Sequence, residues 1–204
     1  MLFDHRTHKI LTKPVPRNCF GITEQFVFGL QGPDDIQLAE DVGFAVSDWG
    51  YKVYYTYEMG WGPLAASSER AAEIDPARDL DACAEVATHW YGRTVAWCRD
   101  WLAAWHAEGV ITHAAVRDGA DFVASGMVAP NDVRPSTAAL YYVYSPSDEH
   151  LVPLLAHVVS RCIAHGIHNL IADLVNEHQG FESVYQRLGF VKVADWARCE
   201  RVLA

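Results

Sequence analysis

The sequence predicts an α/β domain built on a mixed, mostly antiparallel sheet flanked by helices. Three observations predict it. Three strand-like runs follow one another with a hairpin signal between the first two. Helices of amphipathic spacing stand before and after them. A closing strand–helix–strand unit then turns at Gly189-Phe190.

The elements follow in the order ααβββαβαβ. Asp75-Pro76 marks the turn before a helix over 79–89. Val95, Cys98, Leu102 and Trp105 fall at helical spacing, and Gly109 stops that helix. Residues 110–116 and 122–128 read as strands joined by Arg117-Asp118-Gly119. A third strand, 138–145, is rich in aromatic residues; simple alternation puts Tyr142 and Tyr144 on one face and Tyr141 on the other. Pro146-Ser147-Asp148-Glu149 opens a long helix with Leu151, Leu154, Leu155, Val158, Val159, Cys162 and Ile163 on one stripe, ended by Gly166. Asn169–Val175 reads as a buried strand, followed by a short helix to Gly189 and a last strand from Phe190. Trp97, Trp101 and Trp105 form a helical stripe suited to core or interface packing, or to lining an apolar pocket.

The chain has 204 residues, half of them hydrophobic, enough to bury a core. Its net charge of −10 disfavours broad binding to nucleic acid and suits a cationic or amine substrate. The first eighteen residues run the other way, with Arg6, Lys9, Lys13 and Arg17 against Asp4, as a solvated basic terminus or a phosphate contact would. Five scattered cysteines, Cys19, Cys83, Cys98, Cys162 and Cys199, include no C-x-x-C pair and predict reduced thiols in a cytoplasmic protein. No secretory signal and no membrane span are expected. His165 and His168 have no carboxylate or Cys at zinc-site spacing, so no metal is expected. There is no Gly-x-Ser-x-Gly elbow and no P-loop.

The chain also resembles itself. From Gly21 and again from Gly166 it reads Gly-Ile, an apolar strand, a polar break, a helix-like run and Gly-Phe, at Gly43-Phe44 and Gly189-Phe190. Asp-Trp follows both, at Asp48-Trp49 and Asp195-Trp196. This predicts that residues 1–60 are the closing half of a first copy, that 61–71 are a linker, and that 72–204 are a complete second copy.

That order of elements, with Tyr185 four residues before Gly189-Phe190, resembles the GNAT (GCN5-related N-acetyltransferase) superfamily over roughly 130 residues. The resemblance implies transfer of an acyl group from acetyl-CoA or another acyl-CoA to an amine of a small molecule. Tyr185 would then be the general acid for the leaving thiolate, the alternative being a Tyr that packs the last helix on the sheet. The backbone amide of Val143 or Tyr144 would polarise the thioester carbonyl. Ser145, His150 and Leu151 would lie at the pyrophosphate site, and Asn176 resembles the family's Asn after the fourth strand of the domain. The family's Gly-rich loop would fall at 146–151, where no residue is Gly and Asp148 and Glu149 are acidic, so the loop is degenerate. The general base is open among Tyr141, Tyr142, Tyr144, Glu149, His150 and Asp173. Two other functions keep this fold: a Fem-like aminoacyltransferase taking its acyl group from aminoacyl-tRNA, and a binding protein on a decayed acyltransferase. A monomer or a homodimer would suit either.

Overall fold

In the computed structural model, residues 69–131, 136–172 and 181–191 are described with their side chains, together with residue 41. For 2–4, 9–11, 22–29, 45–58, 173–175 and 192–203 the backbone path alone is described. The strands of the N-terminal part are β1 (Leu2–Asp4), β2 (Lys9–Leu11), β3 (Ile22–Gly29) and β4 (Ala45–Glu58). Next come β5 (Ala71–Glu73), helices α1 (Pro76–Tyr91) and α2 (Val95–Glu108), and strands β6 (Thr112–Asp118), β7 (Asp121–Pro130) and β8 (Thr137–Tyr144). The chain closes with α3 (Asp148–Ala164), β9 (Asn169–Val175), α4 (Glu182–Arg187) and β10 (Phe190–Leu203).

Contacts divide the chain into two compact units. One gathers Met1–Tyr55, Asp173–Gly180 and Lys192–Ala204. In it β1 and β2 form an antiparallel pair, and β3 pairs antiparallel with β10 from Trp196↔Gly29 to Leu203↔Ile22. Of the self-resemblance expected from the sequence, the stretch from Gly21 to Phe44 falls here and most of Gly166 to Phe190 in the other unit; Val42-Gly43-Phe44 and Asn176 lie outside the described residues, as does 61–68 of the expected linker. Ala71, at that linker's end, opens β5, an edge strand that pairs antiparallel with β6 and was not legible in the sequence.

The other unit, Thr56–Ala172 with Phe181–Val191, carries the α/β domain. Its strands run in the order β9-β8-β7-β6-β5. Neighbours are antiparallel except β8 and β9, which are parallel. Each helix starts where its sequence demands. The Asp75 side chain accepts the Ala77 N–H at 3.1 Å, and Pro76 occupies the first helical position, where its missing N–H costs nothing. Thr94 caps α2 by accepting from Trp97 N–H at 3.3 Å. Gly92, at φ 60°, takes the left-handed turn that ends α1, and its N–H donates to Thr88 O.

Two apolar layers enclose the sheet. On one face α3 buries Leu151, Leu154, Leu155, Val158, Val159 and Cys162, six of the seven stripe residues. Ile163 instead stands 50 % exposed, because it lies at the edge of the stripe, about 120° around the helix from Leu151. On the other face α1 and α2 pack Cys83, Ala84, Ala87, Cys98 and Leu102 against Ala115, Met127 and Tyr142.

Alternation fails at one place in β8. Met127 pairs with Tyr142 and Val128 with Leu140, so Tyr141 is an extra residue facing no partner on β7. In such a two-against-one β-bulge the consecutive side chains share a face. Tyr141 accordingly points to the α1–α2 side, its ring 4.0 Å from that of Trp105, beside Tyr142 rather than opposite it.

Candidate functional site

Three features meet at the C-terminal end of β8. The first is the strand end itself. Over the described residues the parallel register with β9 runs from Thr137↔Asn169 to Leu140↔Ala172, and Tyr141–Tyr144 form the end of β8. Val143 is buried opposite Gly126. A Cβ on Gly126 would lie 3.2 Å from Val143 Cγ2 and 3.3 Å from Tyr142 O, so the absence of a side chain there is what lets β8 sit so close. Tyr144 is half-buried and stacks on His89, with centroids 4.7 Å apart and planes at 16°.

The second feature is the turn into α3. Ser145, almost fully buried, donates from Oγ to Ser147 O at 2.7 Å and accepts the Ser147 N–H at 3.4 Å. Ser147 makes no side-chain cap; its Oγ instead bonds His150 Nδ1 at 2.9 Å. Side-chain bonds thus shape a loop that has no glycine. Leu151 is buried beneath it. Asp148 and Glu149 in the first helical turn are each met by an arginine: Arg70 Nη1 lies 2.6 Å from Glu149, and Arg187 Nη2 lies 3.8 Å from Asp148. The Arg70 hydrogen bond and charge, with the charge of His150, lower the Glu149 pKa. These four side chains line a groove with Glu69, Val152 and Pro153, of about 490 Å³.

The third feature is a buried polar network that the sequence did not announce. Tyr142 Oη lies 2.7 Å from both His113 Nε2 and Ser125 Oγ, and His113 Nδ1 lies 2.9 Å from His106 Nε2. Tyr142, His113 and Ser125 are all buried. One arrangement of protons satisfies all of these bonds together. Ser125 donates to Ala114 O at 3.2 Å, so it accepts from Tyr142. Tyr142 then accepts from His113 Nε2–H, and the bare His113 Nδ1 accepts from His106. His113 is neutral in this arrangement. Burial pushes the His113 pKa down to about 3, with the neighbouring His106 lowering it further and Glu73 opposing. Burial raises the Tyr142 pKa well above the ordinary phenol value, with Cys83 adding to the shift and the Ser125 hydrogen bond opposing it. Tyr91, raised by burial too, donates from its phenol to Tyr141 O at 3.3 Å.

On the sheet edge Glu73 accepts from Thr112 Oγ1 at 2.6 Å and from Arg161 Nε at 2.9 Å. Burial works to raise its pKa, but hydrogen bonds from His157 and Thr112, the His157 charge and the His113 amide bring it to about 2. This cluster ties β5, β6 and α3 together and lies apart from the end of β8.

Sequence matches are absent: no family model and no curated protein matches the chain. Solved structures match it in shape. A GCN5-related N-acetyltransferase from Sphaerobacter thermophilus superposes with a TM-score of 0.68 at 16 % identity, over 89 % of this chain and 60 % of that one. The fold is that of the GCN5-related N-acetyltransferases. A tandem GNAT protein from the clavulanic acid biosynthesis pathway gives 0.62 at 15 % identity, over 88 % of this chain and 63 % of that one. The yncA protein of Salmonella typhimurium, solved with its cofactor acetyl-CoA, gives 0.50 at 15 % identity, over 66 % of this chain and 93 % of its own. This chain therefore spans about 60 % of the length of the Sphaerobacter GNAT protein.

In this GNAT fold the residues expected at the site fall into three groups. Val143, Tyr144, Ser145, His150 and Leu151 are brought together on the strand end and the turn after it. Tyr185 sits on α4, fully buried, its ring edge-on to Phe190 at 5.0 Å. Asn176 and the Asp173 side chain lie outside the described residues. Trp101 and Trp105 pack against Tyr91, Tyr141 and Tyr142, whereas Trp97 is 43 % exposed. Among the described residues no group of three His, Cys, Asp or Glu side chains could hold a metal ion. No described helix is long and apolar enough to cross a membrane.

Proposed function

We propose that this chain is an N-acyltransferase, moving an acyl group from an acyl-CoA, acetyl-CoA first, to an amine of a small molecule. The observation that carries this reading is the bulged end of β8 at the N-terminus of α3. The strand is bulged at Tyr141 and feeds at once into the N-terminus of α3. Such a strand end offers backbone N–H groups to a carbonyl, and such a helix end offers them to a phosphate.

Acyl-CoA would supply the activated thioester. The Val143 and Tyr144 amides would receive its carbonyl, and Tyr185 would hold the proton destined for the thiolate. Arg70 and Arg187 would supply cationic charge where a loop without glycines cannot bring its backbone amides as close. They must first part from Glu149 and Asp148, which they now neutralise. Exposed pairs of this kind are worth about 0–1 kcal/mol, so an anionic ligand can displace them. Residues 1–60 would complete the molecule as the closing half of a first GNAT-like copy, in keeping with the tandem GNAT protein among the similar structures.

Isothermal titration with acetyl-CoA and longer acyl-CoAs tests the reading; absence of heat with all of them at high protein concentration would sink it. One observation favours a second donor. The acidic first turn of α3 is a poor seat for a pyrophosphate, and a Fem-like transfer from aminoacyl-tRNA does not use that seat. Transfer from a labelled aminoacyl-tRNA pool, abolished by RNase, would identify that reaction instead. A binding protein on a decayed acyltransferase would show neither.

A further inference from the structure

We propose that Tyr91, His113, Ser125 and Tyr142 are positioning residues that clamp the β8 bulge and so aim the Val143 and Tyr144 amides at the carbonyl to be polarised. The aiming rests on the acyl-transfer reading above; the clamp is a property of the fold alone.

A bulge is a register offset, and an unanchored strand can relieve it by slipping one residue along its neighbour. Here both residues of the bulge are held, each by a different part of the structure. The carbonyl of Tyr141 accepts from Tyr91, which comes from α1. The phenol of Tyr142 is fixed from β6 by His113 and from β7 by Ser125, at 2.7 Å each. Ser125 holds the strand twice over, since its backbone pairs with Tyr144 while its side chain holds Tyr142. A one-residue slip would break all of these bonds together, and would move Val143 from the one site on β7 whose glycine admits it.

Apolar packing could fill the same volume, but it has no preferred direction. Hydrogen bonds fix both distance and angle, and inside a protein a satisfied network is rigid. His106 completes this one from the half-buried surface of α2, leaving His113 with a partner on each nitrogen. The arrangement therefore costs no unsatisfied polar group among its own members, while dictating where the next two amides of β8 lie.

Loss of a donor to a developing oxyanion lowers turnover by about 10²–10³-fold. A misplacement of 1 Å can cost about 10²-fold, so a donor displaced by a fraction of that should lower turnover by roughly 10-fold. The test uses the full chain with Tyr142→Phe and Tyr91→Phe, each of which removes one oxygen and keeps the ring. Acetyl-CoA turnover with a panel of primary amines is followed by release of the CoA thiol. Hydrogen–deuterium exchange of the peptides covering 138–145 and 151–163 is measured alongside.

The expected result is a kcat lowered about 10-fold with the acetyl-CoA KM unchanged within about 2-fold, and exchange at 138–145 accelerated about 10-fold with 151–163 unchanged. Wild-type kcat in Tyr142→Phe overturns the proposal. So does unchanged exchange at 138–145, or an equal acceleration of both peptides, which would mean only that the whole domain is less stable. A wild-type protein that neither binds nor turns over acetyl-CoA ends the acyl-transfer reading and the aiming with it; the exchange arm then still decides the clamp.

Discussion

Acidification from pH 7.5 to pH 5 should destabilise this protein chiefly through His113. His113 is 1 % exposed and has a hydrogen-bond partner on each ring nitrogen. Burial keeps it neutral in the folded state until about pH 3, whereas in the unfolded chain it takes a proton near pH 6.5. Between those values the unfolded chain binds the extra proton, so stability falls as pH falls. It is fully present above pH 6.5 and declines by up to about 1.4 kcal/mol per pH unit below it. From pH 7.5 to pH 5 the loss from His113 is roughly 2 kcal/mol, an appreciable part of the ~5–15 kcal/mol that holds a domain together.

His106, whose pKa is also lowered by burial, acts in the same direction. Glu73 enters only below its unfolded value of 4.5, so the chosen interval excludes it. Urea titrations at the two pH values measure the effect, and thermal melting should show a drop of about 4–8 °C. His113→Gln should start from a lower stability at pH 7.5 but lose much less on acidification. An acid loss of equal size in His113→Gln would refute the reasoning, and so would a wild-type stability that is flat over the interval.

Three further outcomes are expected. Gly126→Ala places a methyl 3.2 Å from Val143 Cγ2, which must give by a few tenths of an ångström; we expect a loss of about 1–3 kcal/mol by urea titration. Turnover should fall with it, because the strand displaced is β8. Tyr185→Phe preserves the ring against Phe190 and removes only the phenol oxygen. If Tyr185 gives up its proton in the reaction, kcat drops about 10²-fold or more, and an unchanged kcat would leave the residue a packing role. Glu149→Gln frees Arg70 and removes a carboxylate from the α3 N-terminus, so acetyl-CoA should bind more tightly, most visibly at low salt. Calorimetry showing weaker binding would count against a phosphate site there.

The sequence by itself determined the order of the α/β elements from residue 75 onward, because caps, turns and hydrophobic period are local signals. Asp75-Pro76, Thr94, Gly109 and Gly166 each act within one turn of the chain, and the stripe from Leu151 to Cys162 needs only the 3.6-residue repeat. Tertiary structure decided the rest. Which way Tyr141 faces depends on a register offset against Met127 and Val128, and no single strand encodes its own register. The charges at Asp148 and Glu149 are answered by Arg187 and Arg70, 39 and 79 residues away. His113, Ser125 and Tyr142 sit on three different strands, and His113 becomes neutral and directional only when folding removes it from water and brings the other two within 3.1 Å. Periodicity could place each of them on a strand, but not at one point.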